Sequence, residues 1–300
     1  MMKSTEILVK EHRRFNQSAD RAAKLTFIGV DGDDVYNTSV VFELNQKTYL
    51  AGRTEKRDSE LSETKLFEQI GSSQFRLVPD FGLPLQDPFI TLINGQVILG
   101  GVKVDWTDPQ SPIWRTEFYL LKADLTTELI LTGPKKMKDI RLCQLNNGRI
   151  LILTRPQGDT AGLGKIGMLI VDDLQKVTPS ELVAAPLLKN NFADENWGGA
   201  NQIFQVSDQV VFVAGHIASM VNDERHYYAL AFYVDLASQQ ILGEHLLAER
   251  QDFLAGPSKR DDLADVVFTS GIVKNEEKLL LFCGTSDCEE QCLEISQDTL

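Results

Sequence analysis

The chain has 300 residues, of which 43% are hydrophobic, and its formal net charge at pH 7 is -13. This length allows one large all-β domain or two ordinary domains, and the hydrophobic fraction is ample for a core. The negative charge argues against nucleic acid or an anionic membrane as the main partner. No apolar run approaches the roughly 20 residues that a membrane-spanning helix requires.

Residues 1–29 form a lead-in segment ahead of the first predicted unit. Residues 1–20 are polar and charged and lack the apolar stretch of a secretion signal, so we expect a cytoplasmic protein with reduced thiols. Cys283, Cys288 and Cys292 cluster near the C-terminus, but their spacing is looser than that of zinc sites. We therefore predict no metal at these cysteines.

Five similar units follow one another along the chain. Each has a polar cluster just before a short strand, and then a second, more apolar strand. In the second unit, residues 85–88 precede the first strand, an Asn94-Gly95 turn follows it, and residues 97–101 are almost wholly apolar. Asn-Gly between apolar runs is a strong hairpin signal, and it recurs at Asn147-Gly148. The units cover residues 30–78, 85–121, 137–172, 196–234 and 264–295.

A repeat of roughly 50 to 65 residues is typical of β-propeller blades with long insertions. Long helical periods are nearly absent, and we expect only short helical turns, around residues 58–69 and 180–188. Because no low-complexity linker divides the chain, we predict one all-β domain over residues 1–300, a five-bladed β-propeller. A two-sheet sandwich is the main alternative. In a propeller the polar clusters before the innermost strands converge at one end of a central funnel.

The polar residues that would meet in this funnel are carboxylates, amides, arginines and one histidine. An isolated aspartate before a strand usually caps a turn, but recurrence in the same register favours a binding site. Carboxylates and amides suit sugar hydroxyls, and a protonated carboxylic acid can give a proton to a glycosidic oxygen. Arginines with a histidine suit an anion such as phosphate. The residues concerned are Asp34, Asn37, Arg53, Glu55, Asp87, Asp139, Arg141, Arg155, Asn201, His216, Asp265 and Asp287.

Several short motifs, in the same order along the chain, resemble those of the five-bladed propeller glycosidase superfamily. Its Asn-Pro, Arg-x-Glu and Glu-Asp-Pro-Arg motifs are similar to Asn37-Thr38, Arg53-Thr54-Glu55 and Gln86-Asp87-Pro88-Phe89. Its Lys-Asp, Arg-Pro, His-Gly and Tyr-Gly-x-x-Asp motifs are similar to Lys138-Asp139, Arg155-Pro156, Gly215-His216 and Cys283-Gly284-Thr285-Ser286-Asp287. The chain therefore resembles the mannoside phosphorylases and mannosidases of glycoside-hydrolase family 130. It resembles the domain-of-unknown-function family 1861 still more.

The resemblance implies that Asp87 is the general acid of glycosidic cleavage and that Asp287 grips the sugar. As an acid, Asp87 needs a raised pKa, which apolar funnel walls could supply. Arg155 and His216 are expected to bind inorganic phosphate as a co-substrate, and no other cofactor is expected. The further substrate-binding residues that we expect are Asn37, Arg53, Glu55, Asp139 and Asp265.

We therefore predict a carbohydrate-active enzyme that cleaves a β-mannoside-like bond in a small saccharide with inversion. The nucleophile is phosphate in a glycoside phosphorylase, or water activated by a carboxylate such as Asp139 or Glu55 in a glycoside hydrolase. A non-catalytic sugar-binding propeller and a scaffold for protein partners are the alternatives. The sequence does not predict an oligomeric state.

Overall fold

The computed structural model describes residues 1–15, 21–275 and 278–299, and nearly all of the regular structure in them is β-strand. The all-β prediction is therefore confirmed. Residues 16–20 of the predicted lead-in segment lie outside the described residues. Across the described ranges, no helix is both long enough and apolar enough to cross a membrane.

The strands are numbered along the chain. The first seven are β1 (Ala22–Lys24), β2 (Thr26–Ile28), β3 (Asp34–Tyr36), β4 (Phe42–Leu44), β5 (Lys47–Glu55), β6 (Glu63–Gly71) and β7 (Gln74–Leu77). The next seven are β8 (Gln86–Ile93), β9 (Gln96–Asp105), β10 (Ile113–Leu121), β11 (Thr127–Thr132), β12 (Arg141–Gln144), β13 (Ile150–Thr154) and β14 (Gly167–Val171). The last seven are β15 (Trp197–Gln205), β16 (Val210–Val221), β17 (Glu224–Asp235), β18 (Gln240–Ala248), β19 (Val267–Asn275), β20 (Lys278–Thr285) and β21 (Glu289–Ile295).

Short helical elements accompany the strands. Helix α1 spans Thr5–Phe15, and α2 spans Pro179–Ala184. A capping box starts α2, because the Thr178 hydroxyl accepts from the Glu181 N–H and the Glu181 carboxylate accepts from the Thr178 N–H. The helical turn expected in this region is thus present. Single 3₁₀ turns lie at Leu174–Lys176, Arg250–Asp252, Asp261–Leu263 and Gln297–Thr299.

The helical turn predicted around residues 58–69 is wrong, because most of this stretch belongs to strand β6. In the antiparallel ladder with β5, Leu66 lies opposite Ala51 and Phe67 opposite Leu50. Leu66 and Phe67 are both fully buried, but they enter different apolar clusters. Consecutive residues that bury on opposite faces require the two-residue period of a strand.

Among the described residues, hydrogen bonding divides the strands into four sheets. Strands β8–β11, β12–β14 and β15–β18 form three separate antiparallel sheets in sequence order. The fourth sheet runs β19-β20-β21-β3-β5-β6-β7-β2, with β1 paired to β21 and β4 to β5. The two ends of the chain therefore meet in one sheet. We call five groups of strands the first to fifth units. In order, they are β2–β7, β8–β11, β12–β14, β15–β18, and β19–β21 with β1.

Apolar clusters lie between neighbouring units. Each cluster draws buried side chains from two units that are consecutive in the chain, and one cluster joins the fifth unit to the first. Representative pairs, from the first interface to the last, are Leu66 with Leu99, Phe118 with Ile152, Leu153 with Val213, Phe212 with Leu281, and Phe282 with Phe67. The core is thus distributed among the units rather than held between two facing sheets.

The first strands of neighbouring units also contact each other directly. The Thr91 hydroxyl on β8 donates to the Leu142 carbonyl on β12 at 3.1 Å, and the Ile272 N–H on β19 donates to Gln202 Oε1 on β15 at 2.6 Å. A β-bulge interrupts the ladder in three of these strands, and bulges re-aim side chains that would otherwise alternate. The bulges lie at Gln86/Phe89, Ala200/Gln202 and Thr269/Gly271.

Candidate functional site

Four of the predicted site residues have left-handed backbone conformations. Their φ angles are 45° at Asn37, 49° at Asp87, 59° at Asp139 and 53° at Asp287. Such angles are uncommon outside glycine, although Asn and Asp tolerate them best. Asn37, Asp87 and Asp139 are also buried. Backbone strain of this kind concentrates at functional sites, so these residues mark a candidate site.

Asp87 lies in the bulge of β8, where Pro88 has no N–H to donate to the ladder with β9. The Asp87 side chain meets the first unit. Its Oδ1 accepts from Asn37 Nδ2 at 2.9 Å and from Arg53 Nη1 at 3.1 Å. Asn37 directly follows β3 and Arg53 lies on β5, so these contacts join the first unit to the second.

Two carboxyls at this site have opposite pKa shifts. Burial alone would raise the pKa of Asp87, but the charges of Arg53 and Lys138 and the hydrogen bonds from Asn37 and Arg53 hold that pKa below its ordinary value. The raised pKa that we expected for Asp87 is therefore wrong for the free protein, because cations line the wall. Burial raises the pKa of Asp287, and the charge of Asp87 adds to this effect while Arg53 opposes it.

Arg53 is held by carboxylates of the first unit. Its Nη2 donates to Glu55 Oε2 at 3.1 Å and lies 3.5 Å from Glu60 Oε2. Glu55 Oε1 also accepts from the Tyr36 hydroxyl and from the Lys259 ammonium. The Glu55 side chain is fully buried. Glu55 therefore orients Arg53 toward Asp87 and ties the first unit to the loop before β19.

Asp139 lies just before β12 and faces the third and fourth units. Its Oδ2 is 3.3 Å from Arg155 Nη1 and 3.9 Å from His216 Nε2. Both carboxylate oxygens are buried and have no hydrogen-bond partner among the described residues. Burial would raise the pKa of Asp139, but Lys138 and Arg155 lower it to about 2, so the carboxylate is ionised at neutral pH. A buried, ionised group with free acceptor positions is suited to ligand hydroxyls.

His216 on β16 is a neutral side chain at this site. Its Nδ1 lies 2.7 Å from Asn201 Oδ1, and its ring stacks on Tyr227 with 5.8 Å between the centroids. Burial lowers the pKa of His216 to about 3, although Asp139 opposes this. Because Nδ1 donates to the Asn201 oxygen, Nε2 is left as an acceptor that faces the site.

Lys138 is a member of the site to which the sequence assigned no role. It is half-buried, and its charge acts on Asp87, Asp139, His216 and Asp287. Within the part of the chain that the structure describes, its ammonium forms no hydrogen bond or ion pair with another residue. The ammonium is therefore available to an anion.

Tyr36 and Lys259 also belong to the site and were not predicted as functional residues, whereas Asn201 was expected there. Asn201 Nδ2 and Asn37 Oδ1 are buried without a partner among the described residues, like the Asp139 oxygens. Asn201 lies in the first strand of its unit, a position that the repeat already marks. Lys259 comes from an irregular loop between β18 and β19, for which the strand pattern gives no signal.

The structure brings together the predicted site residues except Asp34, whose carboxylate accepts from Arg57 Nη2 at 2.7 Å, and Asp265. Asp265 Oδ2 lies 2.6 Å from His226 Nδ1, and its carbonyl accepts from the Tyr227 N–H at 3.2 Å. No contact among the described residues joins Asp265 to Asp87. A substrate-binding role stays a prediction for each residue, and the geometry gives Asp265 no support. We call the assembled residues the central polar cluster: Tyr36, Asn37, Arg53, Glu55, Asp87, Lys138, Asp139, Arg141, Arg155, Asn201, His216, Lys259 and Asp287.

In the described ranges, no group of three or more His, Cys, Asp and Glu side chains is arranged to hold a metal ion. The four cysteines are free thiols. Burial raises the pKa of Cys143 and of Cys288 to about 11, so both thiols are protonated at neutral pH.

Comparison with known proteins finds one family over nearly the whole chain. The model of a family described as "Protein of unknown function (DUF1861)" matches residues 11–298. No curated protein matches the chain. Among solved structures, MPT-4, a mannose phosphorylase from Leishmania mexicana in complex with phosphate ion, is 31% identical with a TM-score of 0.90. The match covers 97% of this chain and 92% of that chain.

Two other solved structures extend the comparison. MPT-1, a GDP-Man-dependent mannosyltransferase from Leishmania mexicana, is 28% identical with a TM-score of 0.87, over 98% of this chain and 95% of that one. A β-1,2-mannobiose phosphorylase from Listeria innocua, in complex with β-1,2-mannobiose, is 14% identical with a TM-score of 0.66, over 93% and 92%. The last likeness is one of fold alone. The resemblance read from the motifs is therefore confirmed, and the chain belongs to the DUF1861 family.

Proposed function

We propose that this protein is a carbohydrate-active enzyme, a glycoside phosphorylase that cleaves a β-mannoside with inversion. One observation carries the proposal: among the described residues, buried atoms of Asp139 and Asn201 have no hydrogen-bond partner, and Lys138, whose charge acts on Asp139, has no ion-pair partner. Such a site offers hydrogen-bonding positions to sugar hydroxyls and a cation to phosphate. Similarity to the mannose phosphorylase MPT-4 supports mannose as the sugar and phosphate as the co-substrate.

We also infer that the five units are the blades of one propeller over residues 1–300. Consecutive units share apolar clusters, and the fifth unit shares one with the first. Strand β1 completes the fifth unit by pairing with β21, so the N-terminal part of the chain closes the ring. Around such a ring the first strands surround one axis, which accounts for the convergence of polar groups from all five units.

Within this funnel, we assign to the sugar the residues whose hydrogen-bonding atoms have no partner among the described residues. Both Asp139 oxygens accept from hydroxyls, and Asp287 adds a half-buried carboxyl, while Asn37 Oδ1 packs against Gly284. Arg53 and Glu55 are already bound to each other. Their contribution is therefore chiefly to orient Asp87, with the Arg53 guanidinium as a further contact for the sugar.

Phosphate is assigned to the side of the funnel that carries Lys138, Arg155 and His216. Lys138 supplies a positive charge that is unpaired among the described residues, and Arg155 supplies a second one already turned toward Asp139. Monohydrogen phosphate carries one proton, which it can donate to Nε2 of the neutral His216. Neutral His216 thus serves as an acceptor here, and the two cations provide the charge.

The reaction follows from these positions. Phosphate beside Lys138 offsets one of the charges that keep Asp87 ionised, so the pKa of Asp87 rises and the carboxylate takes up a proton. Asp87 gives this proton to the glycosidic oxygen as the bond from that oxygen to the anomeric carbon breaks. A phosphate oxygen forms the new bond from the opposite face. A β-mannoside is thereby converted to α-mannose 1-phosphate and a sugar shortened by one residue.

Hydrolysis is less well supported by the same geometry. Water would need a carboxylate base, and the lowered pKa of Asp139 makes it a weak one. Glu55 is occupied by Arg53, Tyr36 and Lys259. Sugar binding without catalysis, and a scaffold for protein partners, are retained as outcomes of the test. A cytoplasmic location remains a prediction, and neither nucleic acid nor a membrane takes part in the proposed reaction.

A panel of β-linked manno-oligosaccharides, each with and without phosphate, tests the proposal. We expect turnover only with phosphate, and a loss of about 10²- to 10⁴-fold in Asp87→Asn. Asp208→Asn, in the exposed turn between β15 and β16, is the matched control and should match the wild type. Turnover without phosphate would indicate a hydrolase. Binding of a manno-oligosaccharide with no turnover would leave a sugar-binding protein, and neither binding nor turnover would favour the scaffold.

A further inference from the structure

Glu290 is a buried carboxyl that the proposed reaction does not use. It lies on β21 with 1% of its surface exposed, opposite Gly284 of β20. Its Oε2 accepts from the Thr38 backbone N–H at 3.2 Å, and the hydroxyls of Ser270 and Thr38 also interact with the carboxyl. The fifth unit thus reaches across to the segment that follows β3 in the first unit.

The segment that Glu290 contacts contains Asn37. Asn37 precedes Thr38, has a φ of 45° and donates to Asp87 Oδ1 at 2.9 Å. Gly284, across the ladder from Glu290, leaves the space that Asn37 Oδ1 occupies, since a Cβ at Gly284 would collide with that oxygen. A left-handed asparagine is sparsely populated unless its surroundings hold it. Glu290 and Gly284 are those surroundings on the side of the fifth unit.

We propose that Glu290 is a positioning residue that holds the Asn37–Thr38 turn and, through it, keeps the Asn37 amide on Asp87. The inference rests on the proposed function, because that function makes Asp87 the group whose position matters. Glu290 itself does not touch the substrate.

The chemistry around Glu290 suits this task. Glu290 interacts electrostatically with the thiols of Cys283 and Cys292, while the nearby Lys24 is paired with Glu289. Burial raises the pKa of Glu290 to about 8, so at neutral pH it is mainly an uncharged acid. Its carbonyl oxygen accepts from the Thr38 N–H, and the turn is held without adding a negative charge next to the funnel.

Two substitutions separate the acceptor from the bulk of the side chain. Glu290→Met removes the acceptor but keeps the length and suits a buried apolar site, so it is expected to fold. Glu290→Gln keeps an acceptor oxygen and is the matched control. We expect Glu290→Met to lower kcat/KM for mannoside phosphorolysis by about 10- to 100-fold, the range for losing the Asn37 hydrogen bond to the charged Asp87 carboxylate, and Glu290→Gln to retain most activity.

A double-variant comparison tests whether Glu290 acts through Asn37. Asn37→Gly removes the amide while allowing the left-handed φ. If the two residues act in series, Glu290→Met should cost little further activity in the Asn37→Gly background. Independent losses that multiply would contradict the proposal, because they indicate a general structural effect.

Hydrogen exchange of the Thr38 amide gives a readout that needs no activity. Exchange should be slow in the wild type and in Glu290→Gln, and faster in Glu290→Met. Unchanged exchange in Glu290→Met would overturn the proposal. If the wild-type protein shows no phosphorolysis at all, the proposed function fails, and the exchange rates alone then decide whether Glu290 holds the turn.

Discussion

Replacing Glu290 by glutamine should remove a pH-dependent decrease in the free energy of unfolding. The ordinary pKa of a glutamate is 4.5, and burial raises that of Glu290 to about 8. Between these values the folded protein keeps a proton that the unfolded chain has released. Raising the pH through this window therefore lowers the free energy of unfolding, by roughly 5 kcal/mol at full effect. Glutamine has no proton to lose, so the variant does not lose unfolding free energy in this way as the pH rises.

Urea denaturation at several pH values between 4.5 and 8.5 measures this effect. The stability of Glu290→Gln relative to the wild type should rise with pH up to about 8 and then level off. Glu289→Gln is the control, because this neighbour on β21 is partly exposed and pairs with Lys24 at 2.8 Å, so it should follow the wild type in this window. A stability difference between Glu290→Gln and the wild type that does not change with pH would refute the reasoning.

Three further predictions concern the central polar cluster. Lys138→Met should raise the KM for phosphate by about 10- to 100-fold, whereas Lys135→Met, at an exposed position nearby, should not; steady-state kinetics with varied phosphate decide this. The His216 imidazole should show no protonation between pH 5 and 8 by NMR, because burial lowers its pKa to about 3; titration near 6.5 would contradict the assignment. Arg53→Met should raise the pKa of Asp87 and move the Asp87-dependent limb of the pH–rate profile to higher pH; an unmoved limb would show that Arg53 does not set this pKa.

The fold was predictable where a local pattern reports it. Polar clusters followed by paired apolar stretches, with Asn94-Gly95 at a turn, located the five units and their first strands. The pairing of β1 with β21 could not be predicted, because it joins opposite ends of the chain and β1 is only three residues long. A helical turn was predicted around residues 58–69 because the alternation at Leu66 and Phe67 covers too few residues to distinguish a strand from a helix.

The candidate site was predictable in its positions and less so in its electrostatics. Recurrence in register identified Asp87 and Asp139, since each precedes or begins a first strand. The same recurrence pointed to Asp265, but its side chain and carbonyl are bound by β17 residues instead. The lowered pKa of Asp87 depends on Arg53 and Lys138, which are distant in sequence, so no local pattern could report it. Lys259 lies in an irregular loop, so no strand or repeat pattern in the sequence indicates that it belongs to the site.

Following the sugar phosphate by ³¹P NMR and the free sugars by ¹³C NMR tests the central claim most directly. The wild-type protein, supplied with a β-linked mannobiose and inorganic phosphate, is predicted to form α-mannose 1-phosphate and mannose in equal amounts. Without phosphate, the mannobiose should remain intact. Release of mannose alone, at the same rate with and without phosphate, would contradict the assignment of Lys138 and Arg155 to phosphate and the proposal of a phosphorylase.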